Sequence, residues 1–283
     1  PGLRRLTDAV HAPGARVSAQ IGHAGPVATA ASNGAPSLSP TTRFNPLSLS
    51  FARKASPETL TRIVGDFARA AAWARDVGFD AVEVHLGHTY LPGAFLSPAI
   101  NKRRDAFGGS LEHRAEFARR ILEAVRRSVG SSVAVLAKLN MHDGVPNGLL
   151  PAESLEAAKL FERDGHLDAL ELTGGSSLLN PMYLFRGDAP KKEFADAMPL
   201  HVKLGIRAVG GFFLKAYPFE PLYFLEYARA FRAALKLPLV LLGGVTGKPE
   251  MDTAMREGFE FVAMARALLR EPDGTPCEVT VDL

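Results

Sequence analysis

His85-Leu86-Gly87-His88-Thr89-Tyr90 stands where one kind of sequence pattern gives way to another. Before it, Asp80-Ala81-Val82-Glu83-Val84 reads as a short strand entered from a helix that stops at Gly78. After it come Leu91–Pro98 and Asn101–Ser110, a long loop, and then a helix beginning near Leu111. Two imidazoles and a phenol therefore fall at the end of a strand and the start of its loop. In a parallel α/β protein that edge is where ligands bind.

The flanking segments repeat the same unit. Arg16–Ile21 alternates as a strand, with Val17, Ala19 and Ile21 on one face and Ser18, Gln20 and Gly22 on the other. Ser56-Pro57 supplies an N-cap and a first-turn proline to a helix ending at Gly78, and Ser110 caps the next. Val133–Asn140, Asp168–Thr173, Pro238–Leu242 and Phe259–Met264 read as strands. The helices Glu153–Asp164, Glu220–Leu235 and Pro249–Glu257 separate them, after a first helix at Leu3–His11. Such alternation predicts βα units and a parallel sheet. Several strands share an asymmetry: one face is aliphatic, and the other carries Gln20, then Glu83 with His85, then Lys138, then Glu171. An open doubly wound sheet meets helices on both faces and is apolar on both. One polar face instead predicts a (β/α) barrel with helices outside and chemistry at its mouth.

Two segments exceed a minimal unit. His23–Ser50 is rich in Ser, Thr, Pro, Gly and Asn and lacks periodicity, so a long loop is expected. The interval from Gly174 to Leu235 contains Phe212, Phe213, Tyr217, Phe219, Tyr223, Phe224 and Tyr227, and residues 174–219 read as a lid or insertion between strands.

With 283 residues, 47% hydrophobic and 22% charged, the chain is read as a single barrel domain over residues 1–283. Its formal net charge is only +3, with basic and acidic residues interspersed, which argues against nucleic acid as a partner. Cys277 is the single cysteine, which excludes an intrachain disulfide and a cysteine-rich metal site. No apolar run is long enough to span a bilayer and no signal-peptide pattern opens the chain, so a cytoplasmic address is expected. A homo-oligomer is compatible with the chain.

Chemistry can be assigned only in outline from the residues themselves. His85 and His88 could converge on one acceptor, as a metal pair or as donors to a ligand oxygen, or be ordinary hydrogen-bonded histidines. Zinc usually takes at least three protein ligands, and spacing supplies no third, so no metal is expected. Lys138, inward on its strand, needs a partner, because a buried ammonium is costly unpaired. Glu83 or Glu171 would serve, and so would a bound anion or electron-rich ring. Gly243-Gly244 allows close backbone approach, and Ala265-Arg266 offers N–H groups at a helix start, a combination suited to a phosphate.

The run Gly78-Phe79-Asp80-Ala81-Val82-Glu83-Val84-His85, Phe95-Leu96-Ser97-Pro98, Asn101-x-Arg103-x-Asp105 and Phe107-Gly108-Gly109-Ser110-Leu111-Glu112-x-Arg114 closely resembles the old yellow enzyme family. The likeness runs from Gly2 to Pro272 and includes Ala19-Gln20-Ile21-x-His23-Ala24-Gly25, Leu242-Gly243-Gly244 and Ala263-x-Ala265-Arg266-x-Leu268-x-x-x-Pro272. The resemblance implies an FMN-dependent oxidoreductase that takes hydride from NAD(P)H and reduces an activated, α,β-unsaturated alkene or similar small electrophile. It implies that Gln20 bonds the flavin pyrimidine edge and that Lys138 stands near flavin N1 and O2. Gly244, Ala265 and Arg266, with Gly243 beside them, match phosphate-binding positions. His85 and His88 match the pair that grips the substrate oxygen, and Tyr90 matches the proton donor. Arg103 and Asp105 match the structural part of the motif.

The chain departs from the family pattern at several points. Thr89 replaces a usual Gly, Pro92-Gly93-Ala94 a more polar stretch, and Ala265 another Gly, while Gly22 stands where many members carry a bulkier residue. The family's first two strands have no counterpart, so the last six βα units of a (β/α)8 barrel are expected, with Arg16–Ile21 and Phe259–Met264 each lacking a neighbour. An alternative is a shortened, non-catalytic relative that keeps the motif without holding flavin. Another flavin barrel, of the dihydroorotate dehydrogenase type, would need a cysteine or serine base that is not evident.

Overall fold

A computed structural model describes residues 1–29, 34–45, 50–187 and 215–270, together with Lys192 and Asp196. Helix α1 (Gly2–His11) leads into strand β1 (Ser18–Ile21). A small sheet follows, made of β2 (Leu38–Ser39), β3 (Arg43–Asn45) and β4 (Ser50–Lys54). Then come α2 (Pro57–Asp76), β5 (Ala81–Leu86), the short α3 (Leu91–Leu96), α4 (Leu111–Val129), β6 (Ala134–His142) and α5 (Pro151–Asp164). The chain continues through β7 (Ala169–Gly174), α6 (Pro181–Phe185), α7 (Leu225–Ala234), β8 (Leu239–Leu242), α8 (Lys248–Arg256), β9 (Phe261–Ala263) and α9 (Arg266–Arg270).

Six strands form one parallel sheet in the order β1-β5-β6-β7-β8-β9, each followed by a helix. This is the curled part of a (β/α)8 barrel, the architecture that the one polar face of the strands called for. The sheet is open among the described residues: β1 pairs only with β5, and β9 only with β8. No helix among these residues is long and apolar enough to cross a membrane.

The helices form where their signals stand. The Ser56 hydroxyl accepts from the Thr59 N–H at 3.2 Å, Pro57 occupies the first turn, and α2 buries Leu60, Ile63, Phe67, Ala71 and Ala74 along one stripe. Ser110 caps α4 in the same way, and α4 buries Phe117, Ile121 and Val125. These stripes meet the outer face of the sheet, where Val82, Val84, Val135, Ala137, Leu139, Leu170, Leu172, Leu239 and Leu241 are all fully buried. Asp80 fastens the sheet's lower end, accepting from Val17 N–H and Arg16 and pairing with His11.

The inner face is layered by register. His85 lies opposite Lys138, Lys138 opposite Glu171, Glu171 opposite Val240 and Val240 opposite Phe261. Gln20 lies opposite Glu83 one layer below. The polar side chains that argued for a barrel thus share its interior.

Several expectations need correction. The stretch from His23 to Ser50, expected as a loop, contributes β2 and β3 to the small sheet, and β4 follows at once. Arg103 ties the ends of that sheet: its buried guanidinium donates to Pro40 O (3.1 Å), next to β2, and to Ala55 O (2.7 Å), next to β4, and pairs with Asp105. No periodicity was readable because these strands are two to five residues long. Helix α7 begins at Leu225 rather than Glu220, and β9 is shorter than Phe259–Met264. Phe212, Phe213, Pro272, Cys277 and most of the expected lid lie outside the described residues.

Candidate active site

At the ends of β5, β6 and β7 the side chains are wired in series. The Gly87 N–H donates to His85 Nδ1 at 3.2 Å, so the neutral His85 ring carries its proton on Nε2. That N–H faces His88 Nδ1 at 3.1 Å, which leaves the His88 proton on Nε2, 2.9 Å from the Thr173 hydroxyl. The hydrogen-bond partners assign these tautomers. Burial, aided by the Lys138 charge, pushes His85 down to about 4. Burial, then the charges of His85 and Lys138, pushes His88 to about 3. Both rings are neutral at physiological pH, so the series is self-consistent.

Asn140 fixes the loop that carries His88. Its Oδ1 accepts the His88 N–H at 2.9 Å, while its amide donates to Asp143 Oδ1 (2.8 Å) and Gly175 O (2.7 Å). Asp143 also accepts from the Leu149 N–H at 2.8 Å. Burial raises the Asp143 carboxyl above its ordinary range against these bonds. A side chain at Gly87 would bring its Cβ within 2.8 Å of Asn140 Oδ1, so glycine is needed for this approach.

His88 and Thr89 both have positive φ, 54° and 60°. For a β-branched residue that is an unusual conformation. Thr89 is held in it by its own hydroxyl, which donates to His88 O at 2.6 Å and accepts from Ser176 at 2.9 Å. The substitution of Thr for Gly therefore comes with a partner on the next loop but one. Tyr90 follows at the N-cap of α3, and its ring stacks on His85 with centroids 4.6 Å apart. A Cβ at Gly22 would come to 3.3 Å from His85 Cβ and 4.0 Å from Tyr90, so Gly22 leaves room beside this stack.

Lys138 contacts both flanking carboxyls, Glu83 Oε1 at 3.2 Å and Glu171 Oε1 at 3.0 Å. Gln20 donates its amide to Glu83. Of the alternatives open for Lys138, the paired one is present, and Lys138 also lines a cavity.

That cavity, about 590 Å³, lies within the roughly 300–1,000 Å³ usual for small-molecule and cofactor sites. His88, Lys138, Glu171 and Thr173 form its barrel side. Gly243, Gly244, Ala265 and Arg266 form its loop side, and Phe219 and Tyr223 also line it. Gly243 and Gly244 have φ of 104° and 79°, and a Cβ at Gly244 would come to 2.6 Å from Leu222 N. The Arg266 guanidinium donates to Phe185 O and Arg186 O. The structure therefore gathers His88, Lys138, Gly243, Gly244, Ala265 and Arg266 around one space. His85, bonded to His88, and Tyr90, stacked on His85, adjoin that lining without being part of it, and Gln20 bonds Glu83 instead of lining the cavity.

Sequence reasoning missed three features. Thr173 and Asn140 each lie two residues beyond a residue already singled out, Glu171 and Lys138, so the strand period carried their signal. The third left no local signal: Arg186, with φ 47°, lies over the rings of Tyr183 (4.8 Å), Tyr217 (4.9 Å) and Tyr223 (5.3 Å). Its backbone neighbour Gly187 bridges to Tyr217, which closes the base of the long excursion after β7.

A parallel barrel sheet with its polar residues at the strand ends and a cavity beside them defines an enzyme-type α/β barrel. Residues 1–171 match the NADH:flavin oxidoreductase / NADH oxidase family, and the chain belongs to that family of FMN-dependent oxidoreductases, in which NAD(P)H is the electron donor. The chain is 56% identical, over 96% of its length and 68% of the relative's, to a 4,4'-dithiodibutanoate disulfide reductase of Rhodococcus erythropolis. It is 28% identical to a multifunctional alkene reductase/demethylase of Caballeronia cordobensis, over 96% of this chain and 36% of that one. Among solved structures, a 2-naphthoyl-CoA reductase in complex with 2-naphthoyl-CoA superposes with a TM-score of 0.77 at 25% identity, over 96% of this chain and 40% of that one. The chain thus spans about two thirds of the first relative and well under half of the other two.

Proposed function

We propose that the cavity between Lys138 and Arg266 holds FMN and that an electron-poor acceptor is reduced beside His85, His88 and Tyr90. The residues fit the cofactor in chemistry. Gly244 is backbone without a side chain, at φ 79°, facing the same space as the first residues of α9. Ala265 and Arg266 add a small side chain and a cation there, which suits a phosphate. Lys138 offers a cation at the barrel side, suited to a flavin ring that gains negative charge. FMN, when bound, relays hydride from NAD(P)H to the acceptor.

The observation that carries the reading is the donor series His85–His88–Thr173 opening on that cavity. Neutral imidazole N–H groups and a hydroxyl stabilise negative charge as it develops on an acceptor, and preorganised donors act most strongly where water is excluded. The Tyr90 phenol, stacked on His85, then supplies the proton. To bond an acceptor oxygen directly, His88 Nε2–H would turn from Thr173 to the ligand.

Two acceptors fit this arrangement. An activated alkene takes hydride at its β carbon, and the enolate left behind takes the Tyr90 proton. A disulfide takes hydride at one sulfur. The S–S bond breaks, one half leaves as a thiol, and the other leaves as a thiolate that takes the same proton. The similarity to the disulfide reductase favours the second, and the more distant alkene reductase the first. NAD(P)H consumption with a dialkyl disulfide and with a cyclic enone separates them. Tyr90→Phe should leave flavin reduction by NAD(P)H nearly intact and slow acceptor reduction by roughly 10²–10⁴-fold. A rate within about threefold of wild type would remove Tyr90 as the donor.

A further inference from the structure

The barrel interior holds more acid than base. Glu83 and Glu171 share Lys138 as their cation, at 3.2 and 3.0 Å, and each is only 7% exposed. Two carboxylates and one ammonium would leave a net negative charge in the interior. Among the described residues, nothing packed around them cancels it. Gln20 on β1 gives Glu83 a neutral amide, and β8 presents Val240 opposite Glu171. His85 and His88 on the β5 side are neutral, and the Thr173 hydroxyl is engaged with His88. Tyr223 and Arg266 line the same cavity, with the Tyr223 phenol raised by burial. The Arg266 guanidinium is turned to the carbonyls of Phe185 and Arg186. Two like charges on one counter-ion in low dielectric do not both ionise, and one keeps its proton.

We propose that Glu83 and Glu171 hold one proton between them on Lys138, which keeps the barrel side of the cavity neutral, and that losing this proton makes bound FMN harder to reduce. The inference rests on the cofactor reading given above. Burial, then the hydrogen bond and charge of Glu83, pushes Glu171 up to about 8. Burial would raise Glu83 too, but the hydrogen bond from Glu171 and the Lys138 charge bring it below its ordinary value. Glu171 is therefore the acid, donating to the Glu83 carboxylate. Lys138 stays charged, because the two acids outweigh its burial.

Electrons entering the flavin bring negative charge toward this trio. Below about pH 8 they meet a neutral set of groups. Above it they meet a net negative one, and reduction draws one additional proton from solvent onto the Glu171 carboxylate. No group of the trio changes oxidation state. One extra proton for two electrons multiplies the reduction equilibrium tenfold per pH unit, about 30 mV.

Two measurements on the full chain test this. Carboxyl ¹³C shifts, followed against pH without flavin, should show a glutamate titrating well above the ordinary range that vanishes in Glu171→Gln. If Glu171→Gln does not fold, Glu83→Gln serves instead, and there Glu171, alone with Lys138, should titrate at a lower pH. Two carboxyls both ionised at pH 7 in wild type would overturn the shared proton. The midpoint potential of bound FMN should then fall about 30 mV per pH unit more steeply above pH 8 than below it. Glu171→Gln, measured in its FMN-bound fraction, should lose that extra slope. Equal slopes in the two proteins would overturn the coupling. Failure of wild type to bind FMN would overturn the cofactor reading and the coupling with it, and the carboxyl titration would still decide the proton.

Discussion

The backbone N–H of His88 donates to the side-chain oxygen of Asn140 across 2.9 Å, which locks the loop after β5 to the neighbouring strand. Asn140 is itself held by Asp143 and Gly175 O, so the imidazole series depends on a residue whose hydrogen bonds go to backbone and carboxyl groups.

Replacing Asn140 by Ala should therefore cost stability and acceptor binding together. The change takes a partner from the part-buried His88 N–H, from Gly175 O and from one Asp143 oxygen, at roughly 1–3 kcal/mol for each group left buried and unsatisfied. Urea unfolding and the KM for the acceptor would both move. A loss below about 0.5 kcal/mol with unchanged KM would mean that the loop is held elsewhere.

Acid should unfold the protein partly through its histidines. His85 and His88 are held at about 4 and about 3 in the folded chain, against an ordinary 6.5. Between those values the unfolded chain binds more protons, so stability falls as pH drops below 6.5. The slope is at most about 1.4 kcal/mol per pH unit for each ring. His85→Gln should remove one ring's share between pH 6.5 and 4. Parallel stability curves for the two proteins would contradict the burial argument.

Glu171 predicts the opposite sign. Its folded value of about 8 lies above the ordinary 4.5, so the folded chain keeps a proton that the unfolded chain loses. Its contribution is complete below pH 4.5 and is lost as pH rises toward 8. Glu171→Gln, which cannot ionise, should gain on wild type progressively across that interval in denaturant titrations. A constant difference would mean that Glu171 is already ionised at neutral pH.

The barrel was legible because its signals are local and periodic. Glu83, His85, Lys138 and Glu171 alternate with aliphatic residues at strand spacing, and Ser56 and Ser110 mark helix starts without ambiguity. The donor series was half legible: the spacing of His85 and His88 was visible, but their order of donation depends on Gly87 and Thr173, which the fold brings together from separate strands. The small sheet before α2 was hidden because its strands are short and are supported by Arg103 from a distant loop. The packing of Arg186 on three tyrosines joins residues 183 to 223 through tertiary contact alone.

The placement of the cofactor can be tested at Ala265, an exposed side chain on the cavity at the start of α9. On the proposed placement, with the phosphate against Gly244, Ala265 and Arg266, wild type should bind FMN more tightly than riboflavin. Ala265→Asp puts a carboxylate against that phosphate and should weaken FMN by tenfold or more, about 1.4 kcal/mol, with little change for riboflavin. Fluorescence titration of both flavins with both proteins reads this in one experiment. Loss of the FMN preference in the variant is the result expected. An unchanged preference, or no flavin bound by wild type, would contradict the account.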